Sequence, residues 1–393
     1  MTKIPYPVWL ITLAQTLGMV TAPMVIFVGG FLGVALAPSV SMATLPIASL
    51  VVGSAVASMP AALIMQKIGR RSGFIYATML ALLGSILAFY SVNNGNFWGL
   101  CFSILLLGMH LAFVQQFRFA ALEWVKPEQA ATAASVVLLG GLIAAWAGPE
   151  MVMLGKELFT QTFSGVFVLL ALSHCLLLVL LNIIPFAQSA NPDQVQSRRP
   201  LKELLMAPAL GAAMASGAVA YGVMSLIMTA TPVSMTEIQD FPLAQTKTVI
   251  QSHIMAMFLP SLITPLLLRW ISIINLLMLG LVAMVAAISI AIFDQGYWGY
   301  WSALVFLGLG WNFLFVGGTT LLTQSYQPED GFRVQAVNEF CVFSTQAITS
   351  LMAGWLVFSY GWFAINLLAI PLLILALAML ARWTMSHSAQ PGR

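Results

Sequence analysis

Apolar runs follow one another along the whole chain, and short polar or proline-containing breaks separate them. Twelve runs begin near Val8, Met42, Gly73, Trp98, Ala130, Phe163, Pro208, Lys247, Ile273, Trp298, Val334 and Trp362. A helix needs about 20 mainly apolar residues to cross a hydrocarbon core about 30 Å thick, and these runs reach that length. The pattern therefore predicts an all-α membrane protein with twelve transmembrane helices.

The longest polar interruption divides the twelve runs into two sets of six. It covers residues 187–203, AQSANPDQVQSRRPLKE, and is rich in proline, serine, glutamine and arginine. This composition is typical of a linker rather than of a folded domain. We therefore expect an N-terminal six-helix half at 1–186, a cytoplasmic linker at 187–203 and a C-terminal six-helix half at 204–393.

The composition supports a membrane protein and excludes several other classes. The 393 residues are 60% hydrophobic and 7% charged, whereas about 25% of the residues of a soluble domain are charged. A net charge of +3 is too small to indicate a nucleic-acid partner, so the lipid bilayer is the expected environment. The three cysteines lie far apart and form neither a disulfide framework nor a zinc pattern. The first apolar run is long enough to be a span, so we expect no cleaved signal peptide.

The basic residues predict how the chain is oriented in the membrane. With a cytoplasmic N-terminus, twelve of the fifteen lysines and arginines fall inside, Lys156 and Lys247 fall outside, and Arg118 falls within a span. Basic residues favour cytoplasmic loops. The sequence therefore predicts that both termini are cytoplasmic.

Six plus six helices around a basic central loop resemble the major facilitator superfamily. The loop after the second run, MPAALIMQKIGRRSG, adds a local match. Lys67, Gly69, Arg70 and Arg71 fit the superfamily pattern Gly-x-x-x-Asp-Arg/Lys-x-Gly-Arg-Arg, while an alanine and a glutamine replace its first glycine and its aspartate. The resemblance implies alternating access with Lys67, Arg70 and Arg71 as gating residues, although a gate that needs the aspartate is in doubt.

Two pairs of potential soft-metal ligands stand on the seventh and eighth runs. Met224 and Met228 lie four residues apart in YGVMSLIMTATP, and His253 and Met257 repeat this spacing in QSHIMAMFLP. Residues four apart share one helix face, and thioether with imidazole suits copper, above all Cu(I). The alternative is ordinary packing, because methionine fills irregular apolar gaps and about one Met-x-x-x-Met is expected by chance in this composition.

These two stretches, together with GLGWNFLFVGGTTLLT at 308–323, resemble the CcoA-like copper importers. In that family the two motifs on spans seven and eight are the copper motifs. The resemblance implies import of copper as Cu(I) across the bacterial inner membrane, with copper as cargo, no resident cofactor, and a cytoplasmic copper acceptor as a partner. A sister group imports riboflavin on the same scaffold, so riboflavin stays open as an alternative.

Polar residues in the fourth run predict a cavity-facing stripe. In LLLGMHLAFVQQFRFAALEW, His110, Gln115 and Arg118 fall within about 140° of one another around a helix. Ionisable residues inside a span usually face a cavity or a partner. Arg118 could balance Glu123 or Glu339 or bind an anionic cargo, and Glu339 could serve coupling.

The remaining alternatives differ in the residues on which they depend. A riboflavin cavity would use Gln115, Gln116, Trp146 and Trp311. Export of drugs or metabolites would rely on the Gly-Pro at 148–149 in AAWAGP, which resembles part of an exporter motif. No G-x-x-x-x-G-K-[ST] motif occurs, which excludes a nucleotide-driven pump. No hydrolase or nucleophile motif accompanies the spans, so we do not expect an enzyme.

Overall fold

The fold is all-helical wherever the structure, a computed structural model, describes the chain. The described residues are 4–121, 124–125, 130–186, 200, 203, 206–263, 267, 270–327 and 330–388. The predicted linker at 187–203 therefore lies outside the described residues, except for positions 200 and 203.

The described residues of the N-terminal half include eight α-helices. They are α1 (Tyr6–Met19), α2 (Thr21–Leu36), α3 (Leu45–Ile68), α4 (Arg70–Asn93), α5 (Phe97–Val114), α6 (Phe117–Ala121), α7 (Ala130–Gly155) and α8 (Ser164–Ile183). The first span consists of α1 and α2, which meet at Val20, and the fourth consists of α5 and α6, which are separated by a turn at 115–116.

The described residues of the C-terminal half include five α-helices. They are α9 (Pro208–Val233), α10 (Leu243–Phe258), α11 (Ile273–Phe293), α12 (Tyr297–Gln324) and α13 (Gly331–Ser388). The long helix α13 bends at Gly361, whose φ of 78° is not helical. The bend divides α13 into the eleventh and twelfth spans.

Nine segments of the described chain are long and apolar enough to cross a membrane, and the bent α13 counts as one of them. Helices α7 and α10 complete the twelve spans. Successive spans run in opposite directions, so the start of α1, the end of α8, the start of α9 and the end of α13 lie at one end of the bundle, here called the linker end. The predicted architecture of two six-helix halves is confirmed.

Proline and glycine mark several helix boundaries. Proline lies directly before or within the first two residues of α1, α3, α9 and α10, where the missing N–H leaves no helical hydrogen bond unmade. Gly69 ends α3 with a φ of 84°, a conformation that glycine adopts without steric cost. The Asn96 side chain accepts a hydrogen bond from the backbone N–H of Gly99 at 2.9 Å and caps α5.

Close helix packing inside each half rests partly on small residues. A Cβ at Gly53 on α3 would lie 2.1 Å from the Leu105 carbonyl oxygen, and one at Gly108 on α5 would lie 2.0 Å from the Leu50 carbonyl oxygen. Only glycine at both positions allows the two backbones to approach this closely, which is the usual way for helices to associate in lipid.

The two halves meet along three main contacts, which join α3 to α13, α7 to α10 and α2 to α9. The outer surface carries large exposed apolar side chains, including Ile183, Phe293 and Trp298. An apolar exterior suits lipid, so the polar groups of functional interest lie inside the bundle.

Candidate functional site

An aromatic cluster forms at the centre of the C-terminal half. Tyr221 on α9 lies 5.1 Å from Trp311, 5.3 Å from Phe315 and 5.9 Å from Phe343, measured between ring centroids. Trp311 and Phe315, one helical turn apart on α12, stack at 5.1 Å with an interplanar angle of 17°. Three helices therefore supply rings to one continuous aromatic surface.

The cluster reaches the boundary between the two halves. Phe258 on α10 joins it at 6.1 Å from Trp311. A Cβ at Gly141 on α7 of the N-terminal half would lie 3.6 Å from the Phe258 ring. The indole Nε1 of Trp311 is buried and has no hydrogen-bond partner among the described residues. Trp311 and Tyr221 are buried, whereas Phe258, Phe315 and Phe343 are half-buried. The three phenylalanine rings are therefore the part of the cluster that a solute can contact.

An ion pair between the halves lies beside this cluster. The Arg118 Nη2 on α6 is 4.0 Å from the Glu339 Oε1 on α13, and the two side chains are 30% and 37% exposed. The Tyr221 side chain lies within electrostatic range of both charges. Because α6 closes the fourth span, the pair lies toward the linker end. Its partial exposure inside the bundle indicates that solvent reaches it.

A second ion pair joins the halves at the opposite end. The Lys247 Nζ in the first turns of α10 lies 2.8 Å from the Glu150 Oε1 near the end of α7. The Gln251 Nε2 donates to the Trp146 carbonyl at 2.8 Å and to the same Glu150 oxygen at 3.3 Å. Polar bonds thus tie α7 to α10 on the far side of the aromatic cluster from Arg118.

A model of the Major Facilitator Superfamily matches residues 8–344 of this chain. The chain belongs to this superfamily. Its members are membrane transporters and not enzymes, as the sequence predicted, and the chain is accordingly a multi-pass membrane transporter. The two ion pairs therefore lie between the halves that a superfamily transporter moves against each other.

Relatives and solved structures agree with this assignment. The chain is 33% identical over 376 residues to the riboflavin transporter RfnT of Brucella anthropi, and the match covers 94% of each chain. It is 29% identical to the uncharacterized transporter YddS of Bacillus subtilis, with 89% of this chain and 86% of the relative covered.

Two solved transporters share the fold at low sequence identity. A bacterial homologue of the iron transporter ferroportin in its outward-facing state superposes with a TM-score of 0.68 at 14% identity, with 96% of this chain and 99% of that chain covered. The transporter FucP in its outward conformation gives 0.63 at 13%, with 95% and 98% covered. At these identities the likeness shows the superfamily fold alone.

The predicted polar stripe divides between two environments. Arg118 faces the other half through Glu339, and Gln115 is half-buried at the turn. His110 instead packs against His174 on α8 within its own half, with ring centroids 5.1 Å apart. The prediction placed all three residues on one continuous helix, but a turn at 115–116 separates α5, which carries His110, from α6, which carries Arg118. The prediction that His110 faces the cavity between the halves is therefore wrong.

The four predicted copper ligands are buried in the C-terminal half. Met224, Met228 and Met257 are each less than 9% exposed, and His253 is fully buried. The His253 Nδ1 donates to the Leu304 carbonyl on α12 at 2.7 Å, while its Nε2 has no hydrogen-bond partner among the described residues.

The helices that carry these ligands pack mainly on other helices. Helix α9 contacts α13 and α12, helix α10 contacts α12 and α7, and α9 and α10 touch each other only slightly. The described residues hold no group of three or more His, Cys, Asp or Glu side chains placed to bind a metal. A shared site for the two methionine-containing pairs stays a prediction.

The basic loop after α3 acts within the N-terminal half. The Arg71 Nη2 donates to the Asn182 carbonyl at 3.0 Å and to its Oδ1 at 3.3 Å, at the C-terminal end of α8. A cation at this position stabilises the carbonyl end of a helix dipole. Lys67 is exposed in the last turn of α3, and Arg70 begins α4. Their gating role stays a prediction.

Sequence reasoning missed the acidic partner of Lys247 at the end opposite the linker end. Glu150 follows the Gly-Pro pair at 148–149 directly, and it is one of only twelve acidic residues in 393. A carboxylate inside an apolar run is energetically unfavourable without a partner. The position of Glu150 in such a run could therefore have identified it as a paired residue. Its pairing with Lys247 could not be read from the sequence, since 97 residues separate the two.

Proposed function

We propose that this transporter imports riboflavin, or a closely similar flat heteroaromatic solute, across the bacterial inner membrane by alternating access. The proposal places both termini in the cytoplasm, following the distribution of basic residues. The linker end of the bundle is then the cytoplasmic end, and the Lys247–Glu150 pair lies on the outer side.

The aromatic cluster at the boundary between the halves carries the proposal. Stacking on aromatic side chains contributes about 1–3 kcal/mol per flat base in comparable complexes. An isoalloxazine ring would stack on the half-buried rings of Phe315 and Phe343, and the neighbouring buried Trp311 N–H could donate to one of its carbonyl oxygens. A bare metal ion would gain little from such a surface.

The relationship to RfnT supports the same cargo. A relative at 33% identity over 94% of both chains shares the whole scaffold, and it is named for riboflavin transport. The neighbourhood of Arg118 suits a polar ribityl chain, because a partly exposed guanidinium can donate hydrogen bonds to hydroxyl groups.

Uptake of radioactive riboflavin tests the proposal in riboflavin-auxotrophic bacteria that lack their own importer. Wild type should restore growth on low riboflavin and accumulate the label. Trp311→Phe keeps an aromatic ring and removes the donor, so its KM should rise by about fivefold, which corresponds to about 1 kcal/mol for one hydrogen bond. Trp311→Leu also removes stacking and should lose most uptake.

Trp298→Leu is the matched control, because Trp298 lies on the same helix but is 69% exposed on the outer surface. It should transport like wild type. The amount of each variant in the membrane is measured by immunoblot. Riboflavin uptake that is absent in wild type, or equal in Trp311→Leu and wild type, would remove riboflavin as the cargo.

Copper is the second candidate, and one observation favours it. His253 offers a buried Nε2 that makes no hydrogen bond within the described chain, with Met257 one turn further along α10. An imidazole nitrogen with a free lone pair beside a thioether is a competent Cu(I) ligand set. Radioactive copper uptake measured in the same cells distinguishes the two cargoes.

A further inference from the structure

A buried histidine pair lies in the N-terminal half, away from the aromatic cluster. His110 on α5 is 1% exposed and His174 on α8 is 0% exposed. Their ring centroids lie 5.1 Å apart, and the ring planes cross at 81°. His174 is the eleventh of the twenty residues of α8, so the pair lies near the middle of the membrane. Buried ionisable residues at this depth usually have a function.

The hydrogen bonds of His174 define which of its nitrogens carries the proton. The Ser85 hydroxyl donates to the Ala81 carbonyl at 2.9 Å, so its oxygen is left to accept from the His174 Nδ1 at 3.1 Å. The Thr21 hydroxyl lies 3.2 Å from the His174 Nε2. In the neutral ring, Nδ1–H therefore donates to Ser85 and Nε2 accepts from the Thr21 O–H.

His110 has unused bonding capacity beside this network. The Ala77 carbonyl faces its ring, but neither ring nitrogen makes a hydrogen bond of acceptable geometry within the described chain. A buried neutral imidazole carries one donor and one acceptor, and leaving both unpaired is unfavourable. The pair thus contains a ring that can take up or pass on a proton.

The pair touches the break in the first span. Thr21 is the first residue of α2 and stands midway along the span Tyr6–Leu36. The Ser173 hydroxyl donates to the Leu17 carbonyl in the last turn of α1 at 3.0 Å. Ser173 and His174 on α8 therefore hold the two sides of this junction separately, one through α1 and the other through α2. The backbone stays helical at Val20, with φ −57° and ψ −24°, so the break is a kink, at the point where Pro23 has no N–H to donate to the Met19 carbonyl. Spans with a proline near their middle often mark ion sites in transporters.

We propose that His110 and His174 form the site that binds the coupling proton, and that this proton controls the break between α1 and α2. A hydronium ion gives its proton to the His174 Nε2, directly or by way of His110: one hydronium O–H bond breaks, an N–H bond forms on the ring, and a water molecule is left. Nε2 then becomes a donor, so the Thr21 oxygen must accept instead. The Thr21 hydrogen has to find another acceptor, which alters the contact that holds α2 to α8.

The site accepts one proton at a time. Two imidazolium rings about 5 Å apart would repel strongly in this low-dielectric interior. His110 is the electrostatic partner of His174 among the described residues. The other described titratable groups on the packed helices lie elsewhere. Tyr6, Lys67, Tyr76, Tyr90 and Cys175 are exposed, Cys101 bonds to Ser49, Arg71 bonds to Asn182, Glu150 pairs with Lys247, and Arg70 begins α4 at the linker end.

Proton binding would therefore shift the conformational equilibrium. A charge without a counter-ion is unfavourable in the sealed site, so the present packing belongs to the neutral pair. Any conformation that opens the break to water holds the proton better, and a ligand that prefers one conformation increases its population. The inference rests on transport by alternating access and is independent of which cargo moves.

Nitrogen NMR of ¹⁵N-histidine-labelled protein in lipid nanodiscs tests the site without any cargo. The chain has four histidines, and His110→Gln and His174→Gln assign the two signals of interest. At high pH His174 should be the neutral Nδ1–H tautomer. On acidification one ring of the pair, and only one, should become imidazolium. An Nε2–H tautomer, or two rings that stay neutral down to the lowest pH at which the protein is folded, would overturn the proposal.

Thr21→Val provides a second variant that keeps the side-chain volume. It removes the Thr21 donor while Ser85 still accepts from Nδ1, so His174 should stay the Nδ1–H tautomer and its Nε2 resonance should move to that of an imidazole nitrogen without a hydrogen bond. An Nε2 resonance that is the same in Thr21→Val and wild type would show that Thr21 does not bond the ring, and would overturn the link to the break.

Proteoliposomes loaded with the purified transporter test the coupling, with riboflavin as the probe. An inward proton gradient should drive accumulation by wild type, and His174→Gln should lose accumulation while keeping exchange of labelled for unlabelled riboflavin. Ser103→Ala is the control, since this buried hydroxyl on α5 bonds only to Gly99 of its own helix. Gradient-driven accumulation that persists in His174→Gln would contradict the proposal. If wild type carries no riboflavin, the cargo proposal fails, and the NMR experiment still decides the proton site.

Discussion

Lys247 and Glu150 join the two halves of the transporter at the end opposite the linker, with 2.8 Å between Nζ and Oε1. Arg118 and Glu339 join them near the linker end at 4.0 Å. The aromatic cluster lies between these two bonds. In a transporter that opens one end at a time, the two ion pairs must break at different stages of the transport cycle.

Loss of the outer bond should favour the outward-open conformation. Lys247→Met removes a partly exposed pair, so we expect a shift of about 0.5–1 kcal/mol, or about two- to fivefold, in the ratio of open to closed molecules. Spin labels at Thr160 and Gln295, in exposed loops of the two halves at this end, would report it as a longer distance distribution.

The charge-reversed double variant Lys247→Glu with Glu150→Lys should restore the wild-type distances, because it rebuilds the pair in reverse. Lys156→Met is the control, since Lys156 pairs with Glu157 inside a single loop. Equal distances in Lys247→Met and wild type would show that the outer bond does not hold the halves together.

Removal of the Arg118 cation should impair transport of any cargo. Arg118→Leu leaves Glu339 without its partner in a partly hydrated cleft, where a pair of this kind contributes about 0.5–1 kcal/mol. We expect uptake to fall by about two- to fivefold. Arg118→Lys keeps the charge and loses the planar donor fork, so it should retain part of the activity. Wild-type uptake by Arg118→Leu would exclude a role in the cycle.

The copper candidate depends on the soft ligands. Met224→Leu or His253→Leu should abolish accumulation of radioactive copper while membrane insertion is unchanged, because leucine keeps the apolar volume and removes the donor atom. Met278→Leu is the control, as Met278 is partly exposed on α11. If both leucine variants accumulate copper like wild type, the methionines serve packing alone.

Gly308 should be needed for the close approach of α12 to α10. A Cβ at this position would lie 2.6 Å from the His253 carbonyl oxygen and 3.1 Å from the Met257 backbone nitrogen. Gly308→Ala should therefore destabilise the protein by about 1–3 kcal/mol, seen as a lower Tm in detergent. Gly141→Ala would meet only the Phe258 ring at 3.6 Å, so its Tm should not fall. Equal effects of the two substitutions would contradict this account.

The number and position of the spans could be predicted from the sequence. The predicted starts at Ala130, Pro208 and Ile273 coincide with the first residues of α7, α9 and α11. Hydropathy is summed over a window of neighbouring residues, and prolines act on the backbone beside them, so both signals are local. The division into two halves followed in the same way from one polar interruption.

The candidate site was predicted only in part. Arg118 was expected to face a cavity or a carboxylate, and the pairing with Glu339 was one of two alternatives. His110 was placed on the wrong side, because the turn at 115–116 follows from tertiary packing and leaves no distinct signal in VQQF. Of the rings in the aromatic cluster, the sequence analysis named Trp311 alone as a cavity residue.

The sequence by itself determined that the chain crosses a membrane twelve times in two halves, because a bilayer requires long apolar helices whatever their partners are. Only the tertiary structure decided which polar residues meet. Glu150 and Lys247, His110 and His174, and the rings of Tyr221 and Phe343 come from helices far apart in the chain. Their contacts depend on the rotation of each helix about its axis and on its depth in the bundle. Both are determined jointly by many side chains that are remote in the sequence.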